Sequence, residues 1–503
     1  MARLDHLASV RRVAQTGAAI GREFPYPLLL AVSRLPEAEL QAALARLVAS
    51  GLIFQRGTPP DATYAFKHAL VQDAAHGSLL RSSRQQLHAQ IAKALETHSP
   101  DLVDSRPELL AQHYAEAGLV EKAVAFWAKA GRRSAARSAM AEAAAQLQKG
   151  LDQLALLPDN PKRQRQELEL CSALGAVLLA VKGYAAPETG RAYVRARELW
   201  EQLGSPSEFL NIPYGQSLYH TIRGELDRAQ SFAEDLLRLS RQRNDVAGLV
   251  LGYYSSGLSL MFAGRFNSSR LQLKAVLEHY DPVTQRSLVQ QAIVHPHVAS
   301  QIYLANVLFC LGFSDQALAS SNAAIADARR LGHPPSVAVT LAFGVLLLSL
   351  LGDEAALDEW VDQLVAVTTE QGFAVWRAIG TVYHGWGKVR NGDVAEGLSL
   401  LRSGLIAYRA TGAWAGMPHF VALLARAYET AGQVEEAVIQ SNDALQIVER
   451  TGLRWLAAET CRHKGQLLLR QGHTEAAEEH YRKSAVVPIP DRKIKSNLGA
   501  KSP

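Results

Sequence analysis

Cysteine is scarce in this chain: Cys171, Cys310 and Cys461 are the only three among 503 residues. Three dispersed cysteines cannot build a disulfide scaffold, and none stands in the CxxC spacing of a zinc site. Phosphate chemistry is missing as well. No GxxxxGK[ST] stretch supplies backbone N–H groups and a lysine for a nucleotide. HExxH, GxSxG and GxGxxG are absent, as are a Walker-B-like acid after an apolar strand and the paired metal-binding aspartates of a cyclase core. These gaps argue against an enzyme and predict neither cofactor nor metal. An excess of one charge is missing from most of the chain. Net charge is +5, yet residues 105–485 hold 38 cations and 38 anions. A neutral body argues against a long nucleic-acid track. Long apolar runs are rare too. Met1–Val10 carries Arg3 and Asp5, and has no signal-like apolar core. Ala338–Leu351 is strongly apolar but shorter than the roughly 20 residues of a membrane span. The expectation is a cytoplasmic protein without a membrane partner.

What is present is a period. Gly224, Gly264, Gly312, Gly352, Gly392, Gly432 and Gly472 are separated by 40, 48, 40, 40, 40 and 40 residues, and Gly118 has the same surroundings. A fixed period of this size marks a stacked array. Seven residues before the glycines stand Ala111, Ser217, Gly257, Ala305, Gly385, Ala425 and Gly465, with Val345 the exception. Five residues after them stand Ala123, Ala229, Ser269, Ala317, Gly397, Ala437 and Ala477, with Leu357 the exception. A third small position, twelve after, holds Ala130, Ala324, Gly404, Ala444 and Ser484. This describes a helical hairpin. The glycine ends the first helix at positive φ, and the small residues let backbones approach where helices cross. About nine or ten hairpins are expected over 105–485, with further turns near Met140 and Gly183. The 8 extra residues before Gly312 accompany His279, His295 and His297. Without a carboxylate or cysteine cluster, these read as a solvated loop rather than a metal site.

The first hundred residues read differently. Helices are expected at Leu7–Gly17, Tyr26–Val32 and 35–51, then two short strands, Leu52–Phe54 and Thr63–Phe66, then a helix from His68 to Leu80. Three helices and a two-stranded wing make a winged helix, a variant of helix-turn-helix. Its candidate recognition helix, Glu37–Ser50, offers Glu37, Glu39, Gln41 and one cation, Arg46. That set is poor for base edges and phosphates and argues against DNA.

The offsets around the glycines resemble the tetratricopeptide repeat, most clearly in "HYAEAGLVEKAVAFWAKAG" (113–131) and "AYETAGQVEEAVIQSNDAL" (427–445). The period is 40 where that family has 34. The segment "YAFKHALVQDAAHGSLL" (64–80) resembles the "FRHALIQDAAY" stretch in the winged helix of STAND-type signal-transduction ATPases, and distantly the "MHDL" motif of related immune receptors. That resemblance implies a nucleotide-sensing role for His68, although Ala69 stands where those receptors have aspartate. A capping or packing histidine is the alternative. "AQTGAAIGREF" (14–24), "VKGYAAPETGRAYVRARELW" (181–200) and the stretch 372–413 extend the likeness. The chain is similar to the C-terminal half of bacterial proteins that join a class III adenylate or guanylate cyclase, an AAA/STAND ATPase and a tetratricopeptide array, and so looks like a fragment of such a protein.

The expected fold is all-α: a small winged-helix-like domain (1–104), a tetratricopeptide-like α-solenoid superhelix (105–485) and a disordered basic tail (486–503). The expected function is a non-catalytic regulatory and interaction module. Its groove would take a protein, a peptide or a small inducer, and an ATPase or cyclase chain would be the switch it biases. A winged-helix transcriptional regulator with a tetratricopeptide sensor is the alternative. An enzyme site in the groove has no motif in its favour.

Overall fold

The computed structural model describes residues 8–183, 185–206, 209–281 and 294–486. Among them are 25 helices and three short strands. The expected tail lies outside the described residues from 487 onward. The chain forms two compact units, Met1–Leu170 and Cys171–Pro503.

The first unit opens with α1 (Ala8–Ile20), β1 (Glu23–Pro25), α2 (Tyr26–Ser33), α3 (Glu37–Ala49), β2 (Ile53–Arg56), β3 (Thr63–Phe66), α4 (Ala69–Gly77) and α5 (Arg81–His98). The strands form an antiparallel sheet in the order β1-β3-β2, with Phe24 opposite Tyr64 and Phe54 opposite Ala65. Alternation turns Tyr64 and Phe66 inward, where they meet Phe24, Tyr26, Leu29, Leu40, Leu44 and Leu47. The chain is predominantly helical as expected, and only the size of the small sheet is corrected: it has three strands where two were expected. At three residues β1 is too short to show an alternating pattern, and only its pairing with β3 reveals it. α5 shares a second core with the first hairpin, Pro107–Glu116 and Val120–Ala136, through Ile91, Leu95, Leu110, Tyr114 and Trp127. The compact unit therefore extends well past residue 104.

Hairpins follow. Gly118, Gly224, Gly264, Gly312, Gly352, Gly392, Gly432 and Gly472 each sit between two helices, at φ from 73° to 95°. Around Gly432 the chain closes as a Schellman motif, with Gln433 N–H donating to Tyr428 O at 2.9 Å and Gly432 N–H to Glu429 O at 3.0 Å. A second series lies halfway between: Gly332, Gly372, Gly412 and Gly452, at φ from 60° to 77°. Ser138 and Asn244 take the equivalent place at φ 60° and 52°. A left-handed residue thus recurs about every twenty positions, ending first and second helices alike.

Ala123, Ala229, Ala317 and Ala437 are fully buried at the crossings, and Ala477 nearly so. Ser217 and Ser269 use their hydroxyls across the crossing, donating to Ala229 O at 2.8 Å and Gly257 O at 2.7 Å. In the hairpin Ala374–Arg390/Val394–Ala410 the backbones themselves touch. A Cβ on Gly385 would lie 2.8 Å from Leu401 N and 2.9 Å from Gly397 O.

Pro334–Leu351 is long and apolar enough to cross a membrane by composition, but 67% of it is buried inside the array. It is a core helix. The loop expected around His295 is corrected in part. Pro296 fits the first turn of the helix Pro296–Cys310, where His295 is the N-cap residue and both are buried, and 282–293 lie outside the described residues.

The second unit coils until distant hairpins meet. Trp414 and Ala415 donate their N–H groups to Ile222 O at 2.7 and 3.0 Å. Arg454 and Trp455 do the same to Phe262 O at 2.9 and 3.2 Å. Both acceptors are last residues of first helices, whose carbonyls lack partners within the helix. The two contacts are 40 residues apart on each side. Each links a hairpin to the loop opening the hairpin five further on.

Candidate functional sites

In the first unit His68 is the N-cap residue of α4, at φ −133° and ψ 137°, with no capping bond from its side chain. The imidazole is exposed, and Leu70, the second residue of α4, is 80% exposed. The exposed side of α3 carries Glu37, Glu39, Gln41 and Arg46. Gln41 is occupied by the Tyr26 hydroxyl at 3.1 Å, so this face has little to offer a base edge.

A second histidine group was not foreseen. His76 of α4, His88 of α5 and His113 of Pro107–Glu116 form a chain, with Nε2–Nε2 3.2 Å and Nδ1–Nδ1 2.9 Å. His88 and His113 are only 4% and 6% exposed. Burial, then the neighbouring His113, His76 and Arg84, pushes His88 down to about 3. Burial pushes His113 down to about 4. Near neutrality both are uncharged, so each nitrogen pair shares one proton and the tautomers along the chain are linked. His88 uses opposite nitrogens for its two partners, so the rings do not converge on a common ion. Among the described residues no group of three or more His, Cys, Asp or Glu side chains is placed to hold a metal ion.

In the second unit the inner faces of successive first helices converge on a cavity. Tyr254, Phe262, Tyr303, Phe343, Tyr383 and Trp455 are part of its wall. Nine of its seventeen lining residues are aromatic and none is charged, so it is built for an apolar occupant. The cavity is small, about 40 Å³, space for a few waters. Most polar atoms of the wall are already used. The Tyr254 and Tyr303 hydroxyls bond to each other, Tyr383 pairs with His419 Nε2 at 3.0 Å, and Gly416 N–H donates to the Tyr408 hydroxyl at 3.2 Å. Burial holds Tyr383 well above the usual phenol range. Burial, with Arg426 adding to it, holds His419 down at about 3. Trp455 is the exception: it is 5% exposed, and its Nε1–H is buried without an acceptor.

One signal could have revealed the cavity. Tyr303, Phe343 and Tyr383 all stand nine residues before a turn glycine, in three successive repeats. The glycines singled out by their period sit in the turns, and the small residues that flank them lie at the helix crossings, as Gly385 does against Gly397. His68 stands apart from the histidine chain and from the cavity-lining set.

No family model matches the chain. An uncharacterized protein of Rhizobium meliloti (strain 1021) is 26% identical over 484 residues, which is 94% of this chain and 46% of that protein. The chain thus spans about half the length of the curated relative it matches. Among solved structures, a Rap protein complexed with competence and sporulation factor is similar at 12% identity and a TM-score of 0.52, over 72% of this chain and 97% of that one. A STAND protein with a tetratricopeptide repeat sensor from Pyrococcus horikoshii aligns at 11% identity and a TM-score of 0.38, over 95% of this chain and 63% of that one. The chain carries a tetratricopeptide-like helical-repeat fold.

Proposed function

We propose that the chain is a non-catalytic regulatory and protein-interaction module, the sensor and scaffold part of a signal-transduction ATPase or adenylate/guanylate cyclase. In this reading residues 1–104 are the winged-helix-like domain of the ATPase, residues 105–485 are the sensor array, and the partner is a protein, a peptide or a small inducer. The observation that carries it is the charge-free aromatic cavity inside the coil, walled by hairpins far apart in sequence. An occupant there touches both ends of one superhelical turn, and so favours the coiled arrangement over an opened one. The small sheet with strand order β1-β3-β2 and its surrounding helices supports the winged-helix reading. Exposed His68 at a helix N-terminus, beside exposed Leu70, is the candidate face for a nucleotide-holding domain.

The test is reconstitution. Alone, the chain turns over no ATP and makes no cyclic nucleotide. Added to a P-loop ATPase–cyclase polypeptide of the kind it resembles, it tightens the ADP-bound state, and His68→Ala loosens that state again. ADP affinity that is the same with and without the chain refutes the reading.

A further inference from the structure

We infer that the loops 411–416 and 451–456 form a latch that holds the coil shut and opens as one unit while the hairpins stay folded, admitting solvent to the aromatic interior. The latch decides how that interior is reached and not what enters it, so it stands apart from the sensor reading.

The latch is built from backbone. Gly412 and Gly452 end second helices at φ 77° and 74°, which turns the chain out of its helical path. Each loop then presents two successive N–H groups to one carbonyl: Trp414 and Ala415 to Ile222 O, and Arg454 and Trp455 to Phe262 O. A carbonyl oxygen has two lone pairs, so it can accept both. Two turns provide the seats. A Cβ on Gly224 would lie 3.1 Å from Thr451 Cβ, and one on Gly264 would lie 3.3 Å from Arg454 Cβ. At Gly352, Gly392, Gly432 and Gly472 nothing lies within 4 Å of such an atom. Turn glycines of one conformation thus differ in whether a distant loop rests on them.

The two loops share a seat. Thr451 and Leu453 of the second loop rest on Gly224, two residues after the carbonyl that receives the first loop. Lifting one loop therefore disturbs the footing of the other. Together they wall the interior, since Ala415, Gly416 and Trp455 line the cavity with both acceptor residues, Ile222 and Phe262.

Two features make the latch the part that gives way. Its release strands no buried backbone group, because helix-end carbonyls are groups that water ordinarily satisfies. The closed form also carries local costs. About 40 Å³ stays unfilled against the latch, and a void forfeits the contacts its lining would make. The Trp455 indole N–H is buried without an acceptor, a cost that solvent removes once the residue lifts. Holding the latch down are its N–H bonds, the buried Ala413, Ala415 and Leu453, and the Trp455 ring against Phe262 at 5.2 Å. A segment so balanced opens locally, below the free energy of unfolding.

Hydrogen–deuterium exchange of the full chain, read by mass spectrometry, tests this without any ligand. In the native chain the amides of residues 414, 415, 454 and 455 exchange roughly tenfold or more faster than the interior amides of the helix Val434–Thr451, which need the hairpin to unfold. Gly264→Leu presses on Arg454 and speeds exchange in both loops. Gly432→Leu has the same backbone strain, at φ 73° against 76°, and no loop above it, so it speeds neither. The pair Gly264→Cys/Arg454→Cys supplies a staple, with Cβ atoms a few tenths of an ångström under the usual disulfide spacing. Oxidised, it slows residues 414 and 415 to the helix rate, and reductant restores them. Loop amides at the helix rate in the native chain overturn the latch. So do equal effects of Gly264→Leu and Gly432→Leu, or a staple that protects 454 and 455 alone. The native rates and the staple decide the matter even if Gly264→Leu does not fold.

Discussion

The histidine junction of the first unit and the cavity of the second are two ways of filling space between packed hairpins. At His76, His88 and His113 the space is polar, and side chain meets side chain through two nitrogen pairs. At Tyr254, Tyr303, Tyr383 and Trp455 it is apolar, open and nearly satisfied. The hairpin frame leaves both options open, because it fixes where backbones cross and not what fills the gaps.

Acid is the strongest way to break this comparison. Folding holds His88 and His113 below their ordinary value, so their contribution is intact above about pH 6.5. It is lost progressively as the pH falls from about 6.5 to the folded values of about 4 and 3, because over that window the unfolded chain takes protons that the folded chain refuses. The double variant His88→Leu/His113→Leu should lose less stability than the native chain between pH 7 and pH 4. Taking half of the displacement that falls between pH 6.5 and pH 4, the difference is roughly 3 kcal/mol by urea unfolding. An identical acid loss would show that the junction is no proton-responsive element.

Disturbing the frame comes next. Ala437 is fully buried at a helix crossing, and Ala437→Trp should cost about 2 kcal/mol by overpacking, seen as a lower urea midpoint. Within the cavity wall, Tyr383→Phe leaves buried His419 without its partner and should cost about 1–2 kcal/mol by the same measurement. No loss there would mean that the wall tolerates unpaired polar atoms, which would weaken the contrast between the two interiors. The smallest effect belongs to Gly432→Leu. Nothing lies within 4 Å of the added Cβ, so only the positive φ of 73° matters, at about 1 kcal/mol in thermal or urea unfolding.

The turns were legible because a left-handed backbone position strongly favours one residue type and marks it in the sequence. The half-period series, Gly332 to Gly452, was equally visible in spacing, but Ser138 and Asn244 stand in for glycine elsewhere and dilute it. The histidine junction left no trace, since positions 76, 88 and 113 follow no common period and meet only through tertiary packing. The cavity was hidden for a related reason. Periodicity reports which hairpin stacks on the next, whereas Tyr254 and Trp455 meet through the pitch of the coil, a property of many small rotations together.

The paired backbone contacts at Ile222 and Phe262 change the kind of cooperativity available to the array. A stack in which each unit feels only its neighbours unfolds like a one-dimensional chain, able to fray from either end. Contacts between hairpins five apart add a loop to that chain. Removing the last two hairpins would then be felt at the hairpins that carry Ile222 and Phe262, and end-fraying would give way to melting of a whole turn at once.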